Sequence, residues 1–113
     1  MLNQVVLVGR LTKDPEIVKL VDGRKVSEIT IAVKRAFKNY DGEYETDFIK
    51  CVLWENLAVY LHKYCHKGDL IAVKGRLQIK KIEKDNKINQ TLELIGEKIS
   101  YLSGNKNTEE IES

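Results

Sequence analysis

The sequence that decides the fold is FIKCVLW, residues 48–54. Successive side chains of an extended strand point to opposite faces of the sheet. The odd-numbered positions form an apolar face suited to a core: Ile49, Cys51 and Leu53. The even-numbered positions form a second face with an aromatic ring at each end: Phe48, Lys50, Val52 and Trp54. Outward aromatic rings need a flat partner to cover them, and a base with its phosphate nearby is such a partner. The stretch therefore predicts a β-domain that binds nucleic acid.

The length of the chain predicts one domain, and its charge is mildly basic. The chain has 113 residues, of which 42% are hydrophobic, enough for a single core. Residues 1–102 carry 18 basic and 14 acidic side chains, a net charge of +4, which is compatible with a polyanionic partner. No apolar run has the length of a membrane span, and the N-terminal residues do not show a signal-peptide pattern, so a cytoplasmic location is expected. The two cysteines are therefore expected to be free thiols.

Turn signals divide the chain into five long strands. The pairs Asp22-Gly23, Asp41-Gly42 and Asp85-Asn86 mark hairpin turns. Alternating apolar residues predict the long strands at residues 4–11, 25–33, 48–54, 70–81 and 88–102, with a shorter strand at 17–21 and a bulge or bend at Gly9.

One helix is predicted over residues 56–67, with Asn56 as its N-cap. A single helix between the third and fourth long strands favours an all-β, five-stranded OB-fold barrel over a β-sandwich. The barrel is expected to occupy residues 1–102, and residues 103–113 are expected to form a disordered polar and acidic tail.

Basic side chains accompany the aromatic residues. On the fourth long strand, three cations lie opposite the apolar set: Lys74, Arg76 and Lys80. Where the second long strand enters its hairpin, three more surround an aromatic residue: Lys34, Arg35, Phe37 and Lys38. Single-stranded nucleic acid is bound by stacking bases on aromatic rings while cations follow the phosphates. The alternatives are a core position for each ring and an ordinary solvated face for the cations.

No catalytic or cofactor pattern accompanies these residues. The chain has no Ser-His-Asp set, no paired catalytic carboxylates and no phosphate-binding glycine loop. His62 and His66 have the i, i+4 spacing of a metal pair, with Cys65 between them, but a structural zinc site usually needs four ligands. We therefore predict a protein that is not an enzyme and binds neither metal nor cofactor.

Five motifs resemble the bacterial single-stranded DNA-binding protein family over residues 2–102. They are NQVVLVGRLTKDPE (3–16), ITIAV (29–33), DFIKCVLW (47–54), YCHKG (64–68) and VKGRL (73–77). The resemblance implies an OB-fold homotetramer wrapped by DNA, with Val6 and Val8 at a subunit interface. It implies stacking on Phe37, Phe48 and Trp54, and cation contacts at or near Lys38, Lys67, Lys80 and Lys81.

Two departures from the family pattern qualify this expectation. Ile82 stands where some members carry a fourth stacking aromatic, and TEEIES (108–113) lacks the Pro-Phe tip that recruits partner enzymes. We expect a short, nucleoid-associated form that coats DNA in replication, recombination, repair or DNA uptake, with recombination or DNA-uptake proteins as candidate partners. The alternatives are a primosome-type OB-fold adaptor acting mainly through protein partners and an RNA-binding barrel of the translation type.

Overall fold

Six strands and one helix appear in the computed structural model, which describes residues 1–104. The strands are β1 (Val5–Leu11), β2 (Val18–Lys19), β3 (Lys25–Lys38), β4 (Tyr44–Trp54), β5 (Leu70–Lys84) and β6 (Lys87–Ser103). The helix, α1 (Asn56–Tyr64), lies between β4 and β5. No helix in this part of the chain combines the length and the apolar composition needed to cross a bilayer. The tail predicted at 103–113 lies outside the described residues, except that Ser103 ends β6 and Gly104 follows it.

The five long strands close into a barrel in the order β1-β5-β6-β4-β3. β1 pairs with β5 over most of its length and with β3 at Arg10 and Leu11, which joins the two ends of the sheet. β4 and β6 meet in parallel at Val52 and Ile95. The two-residue β2 pairs with β3. This topology confirms the predicted five-stranded OB-fold with a helix between the third and fourth long strands.

Gly9 marks the place where β1 turns from β5 towards β3. A Cβ atom at this position would lie 2.4 Å from the carbonyl oxygen of Ala32, so only glycine permits the two strands to approach this closely. The pairing of β1 with β5 runs without a break from Val5 to Arg10. The β1–β5 pairing therefore has no bulge at Gly9, and the glycine serves the close approach of β1 to β3.

The core fills the barrel beneath α1. Its fully buried side chains include Ile31, Leu53, Leu61, Ile71 and Val73. The inward face predicted for β4 is confirmed, because Cys51 and Leu53 are buried and Ile49 packs against the core. Both cysteines are free and buried, and burial raises the pKa of the Cys51 thiol to about 12. The thiol is therefore protonated at neutral pH and behaves as a small apolar group.

The ends of α1 differ from the sequence prediction. Glu55, with φ 52°, takes the N-cap position and makes no side-chain capping bond, so the prediction of Asn56 as N-cap is wrong. The helix ends at Tyr64 because Cys65 adopts an extended backbone, φ −118° and ψ 150°, with its side chain buried in the core. The helix is therefore three residues shorter than the predicted 56–67.

Two hairpins extend from the barrel and shape its outer surface. The β3–β4 hairpin turns at Asp41-Gly42, and the β5–β6 hairpin turns at Asp85-Asn86, where both residues have positive φ, as a type I′ turn requires. Side chains at the outer end of the β5–β6 hairpin, such as Ile82 and Ile88, are exposed. These hairpins border the candidate binding surface.

Candidate nucleic-acid interface

Phe48 and Trp54 lie on one outer face of the barrel. In the β3–β4 ladder, four directly opposed pairs share this face: Val26 with Trp54, Glu28 with Val52, Thr30 with Lys50, and Ala32 with Phe48. The two rings are six residue steps apart along the strand, a distance of about 20 Å. Lys50 lies between them on the same face. The register thus reproduces the order of rings and cation predicted from alternation along β4.

The three predicted stacking rings differ in accessibility. Phe37 is 85% exposed and Phe48 is 66% exposed, so neither ring belongs to the core. Trp54 is half-buried at the end of β4. The two phenylalanines therefore offer open ring surface to a base, and Trp54 offers part of its indole.

A groove runs along the β3–β4 face from Trp54 to Lys50. Its first hollow, about 420 Å³, is bordered by side chains from β3, β4 and the β5–β6 hairpin: Glu28, Val52, Trp54, Gln78, Lys80 and Glu93. A second hollow of about 150 Å³ shares Glu28, Val52 and Glu93 and reaches Lys50. We call the two together the Trp54–Lys50 groove. It brings together the indole of Trp54, the apolar side chain of Val52 and two lysines, Lys50 and Lys80.

Arg24 covers part of Trp54 and was missed by the sequence analysis. Its guanidinium carbon lies 4.9 Å from the centroid of the indole ring, a cation–π contact. Asp22 holds it there, accepting a bond of 2.9 Å from Nε and one of 3.0 Å from the backbone amide of Arg24. These hydrogen bonds hold the pKa of the Asp22 carboxyl below its usual value, and the one from the backbone N–H of Arg24 has the largest effect. The sequence carries no signal for this contact, because it depends on the register that places Val26, two residues from Arg24, opposite Trp54.

A second aromatic and basic cluster lies on the β3–β4 hairpin. The ammonium groups of Lys34 and Lys38 lie 5.8 Å and 5.7 Å from the ring centroid of Tyr44. The exposed ring of Phe37 is on the same hairpin. The structure therefore brings predicted cations close to aromatic rings here as well.

Arg35 is engaged within its own hairpin. Its guanidinium donates two bonds of 3.0 Å to the carboxylate of Asp47 and lies 3.0 Å from Glu45. Hydrogen bonding between Arg35 and Asp47 lowers the pKa of Asp47 and raises that of Arg35. A phosphate would have to displace these carboxylates to reach the guanidinium.

The remaining predicted cations are distributed over other surfaces. Lys74 lies opposite Val6 of β1 and Lys98 of β6, on the outer face of a different part of the barrel. The Nε atom of Arg76 lies 3.6 Å from the Glu97 carboxylate. Lys67 follows α1, and Lys81 is exposed on the β5–β6 hairpin. Of the predicted cations, those that lie with the aromatic rings are Lys34, Lys38, Lys50 and Lys80.

The histidines near α1 have separate surroundings. The Nδ1 atom of His62 lies 3.1 Å from the carbonyl oxygen of Pro15, and His66 is exposed near Asp69. Within residues 1–104, no group of three or more histidine, cysteine or acidic side chains is placed to hold a metal ion.

The whole barrel matches one family of proteins. Residues 2–102 match the model of the single-strand binding protein family. The chain belongs to this family. The match covers all six strands and α1 except the last residue of β6. Members of the family are DNA-binding proteins without enzymatic activity, so the protein is not an enzyme.

Three relatives show the degree of similarity. The chain is 46% identical over 89 residues to single-stranded DNA-binding protein B of Bacillus subtilis, an alignment covering 79% of each chain. It is 45% identical over 103 residues to a single-stranded DNA-binding protein of Bacillus cereus, covering 90% of this chain but 61% of the relative. It is 42% identical over 102 residues to single-stranded DNA-binding protein 2 of Streptococcus agalactiae serotype III, covering 90% of this chain and 78% of the relative. The chain thus spans between three-fifths and four-fifths of these relatives.

Proposed function

We propose that this single-stranded DNA-binding protein coats DNA without regard to sequence, by stacking bases on Phe37, Phe48 and Trp54 while lysines neutralise phosphates. One observation carries the proposal: Phe48 and Trp54 lie on the same outer face with Lys50 between them. Family membership and the names of the relatives support DNA as the ligand. Such a coat would serve replication, recombination, repair or DNA uptake.

The physical terms of this binding are stacking and counterion release. Each base stacked on an aromatic ring contributes about 1–3 kcal/mol, and stacking is sequence-tolerant because every base has a π-face. Each neutralised phosphate of a single strand adds roughly −0.7 to the slope of log affinity against log salt. Four lysines lie with the rings: Lys34, Lys38, Lys50 and Lys80. The slope is therefore expected to be about −3 for each barrel.

Intrinsic fluorescence tests the proposal directly, because Trp54 is the single tryptophan of the chain. Titration with oligo-dT is expected to quench the emission and to saturate at a defined number of nucleotides per subunit. Raising the salt concentration should weaken the binding, with a slope of log affinity against log salt concentration of about −3. Double-stranded DNA of the same length is the control and should quench weakly. A flat signal from a folded protein would contradict stacking on Trp54 and favour the adaptor function.

Self-association as a homotetramer is part of the proposal. Val6 and Val8 lie on the outer face of β1 and are 60% and 48% exposed, which supports an interface along this strand. Val8→Lys should therefore reduce the sedimentation coefficient towards that of a smaller assembly, because it places a charge in an apolar contact. Val21→Lys, at an exposed hairpin position, is the control. An unchanged coefficient for Val8→Lys would place the interface elsewhere.

A further inference from the structure

One of the four arginines of the chain has no acidic partner within residues 1–104. The other three are paired with carboxylates: Arg24 with Asp22, Arg35 with Glu45 and Asp47, and Arg76 with Glu97. The fourth, Arg10, is exposed near the end of β1. Its charge is therefore available to an anion from outside the barrel.

The guanidinium of Arg10 is held by one hydrogen bond and keeps its other donors. Its Nη1 atom donates a bond of 2.9 Å to the carbonyl oxygen of Gly68. Its Nε and Nη2 atoms have no hydrogen-bond partner among residues 1–104. A guanidinium carries its N–H donors in a planar fork that matches the oxygens of a phosphate. Arg10 therefore presents an oriented fork with donors to spare.

Arg10 shares the outer face of Phe48. Directly opposed residues of an antiparallel ladder have their side chains on the same face of the sheet. Arg10 is opposite Ala32 in the β1–β3 ladder, and Ala32 is opposite Phe48 in the β3–β4 ladder. Two strand spacings, about 10 Å, therefore separate Arg10 from Phe48. The long arginine side chain can reach the backbone of a nucleotide whose base is stacked on Phe48.

A hollow of about 240 Å³ lies beside Arg10 on this face. It is lined by residues of β1, β3, β4 and β5: Gly9, Arg10, Ala32, Lys34, Thr46 and Leu70. None of them is acidic, whereas the walls of the Trp54–Lys50 groove include Glu28 and Glu93. A phosphate in this hollow would meet two cations and a hydroxyl group, and no like charge from its lining.

We propose that Arg10 binds a backbone phosphate of single-stranded DNA in this hollow, next to the nucleotide stacked on Phe48. The inference rests on the proposed function, because it requires a base on Phe48. It extends the path of the DNA from the Trp54–Lys50 groove, past Phe48, to the junction of β1 with β3. Phosphates do not carry base identity, so the contribution of Arg10 is the same for every sequence.

The test compares the affinity of the wild type and of Arg10→Gln for oligo-dT over a range of salt concentrations. Loss of one phosphate contact should make the slope of log affinity against log salt concentration less steep by about 0.7. The ratio of wild-type to variant affinity should therefore fall about fivefold for each tenfold rise in salt concentration. Oligo-dC should give the same change of slope. Arg10→Lys keeps the charge and should keep the wild-type slope.

Lys63→Gln is the matched control, because Lys63 is exposed on α1 and does not line the hollow. It removes the same charge and should leave the slope unchanged. Arg10→Gln should also keep the wild-type sedimentation coefficient, since β1 carries Val8 of the proposed subunit interface. A wild-type slope in Arg10→Gln, or a changed sedimentation coefficient, would overturn the inference while the coat function stands. Failure of the folded wild type to bind oligo-dT would overturn both.

Discussion

Replacing Phe48 with alanine is expected to weaken binding of single-stranded DNA by about 1–3 kcal/mol, the contribution of one stacked base. The ring is 66% exposed on the outer face of β4, so its loss leaves no cavity in the core. Fluorescence anisotropy of a labelled oligo-dT measures the affinity. The loss should be similar at low and high salt, because stacking neutralises no phosphate.

Phe48→Tyr is the control for this substitution, since it keeps an aromatic ring at the same position. It should retain most of the affinity, and thermal denaturation should show both variants folded. If Phe48→Ala binds as tightly as the wild type, the outer face of β4 is not the stacking surface. Any quenching of Trp54 fluorescence by oligo-dT would then have to come from bases bound elsewhere than on Phe48.

Gly75→Ala is expected to destabilise the barrel by about 3 kcal/mol or more. A Cβ atom here would lie 2.1 Å from the carbonyl oxygen of Ile95 and 3.2 Å from the Cα atom of Gly96. These are backbone atoms of β6 at a point where the β5–β6 register shifts, so they cannot rotate away. Relief requires the two strands to separate. Urea denaturation followed by circular dichroism measures the change in the free energy of unfolding.

Lys74→Ala, at the neighbouring exposed position of β5, is the control for Gly75→Ala. A substitution on this surface should change the free energy of unfolding by about 0.5 kcal/mol or less. A Gly75→Ala variant with an unchanged denaturation midpoint would contradict the close contact between β5 and β6. The partial loss of DNA binding in that variant should follow its unfolded fraction.

The sequence predicts the main strands and the face of β4 well, because the chemistry of adjacent residues differs sharply there. Cys51 and Leu53 are buried and alternate with Lys50 and Trp54 on the outer face, although Val52, which shares the outward parity, is only 9% exposed. The same rule is less successful on β5, where Leu77 shares the parity of the core residues but is 38% exposed. Hydrophobic periodicity predicts which face of a strand a side chain lies on. It does not predict the residue at which the strand extends past the barrel, where both faces become exposed.

Contacts that depend on register were beyond prediction. The ion pairs of Arg35 with Glu45 and Asp47 need the exact alignment of β3 and β4, and a slip of one residue would point the side chains to opposite faces. The position of Arg24 over Trp54 has the same origin. Sequence pattern therefore identified basic residues without showing which of them already have acidic partners.

The closure of the barrel by β1 has a consequence for how the protein folds. β3–β4 and β5–β6 are hairpins that connect neighbouring parts of the chain, whereas β1 pairs Val5 with Gly75, far apart in sequence. Contacts of high sequence separation form slowly, because loop entropy is lost before they are made. The Trp54–Lys50 groove lies between the two hairpins and needs both to be docked. Half-folded chains would lack the groove, so a ligand bound there would drive the folding equilibrium towards the native state by mass action.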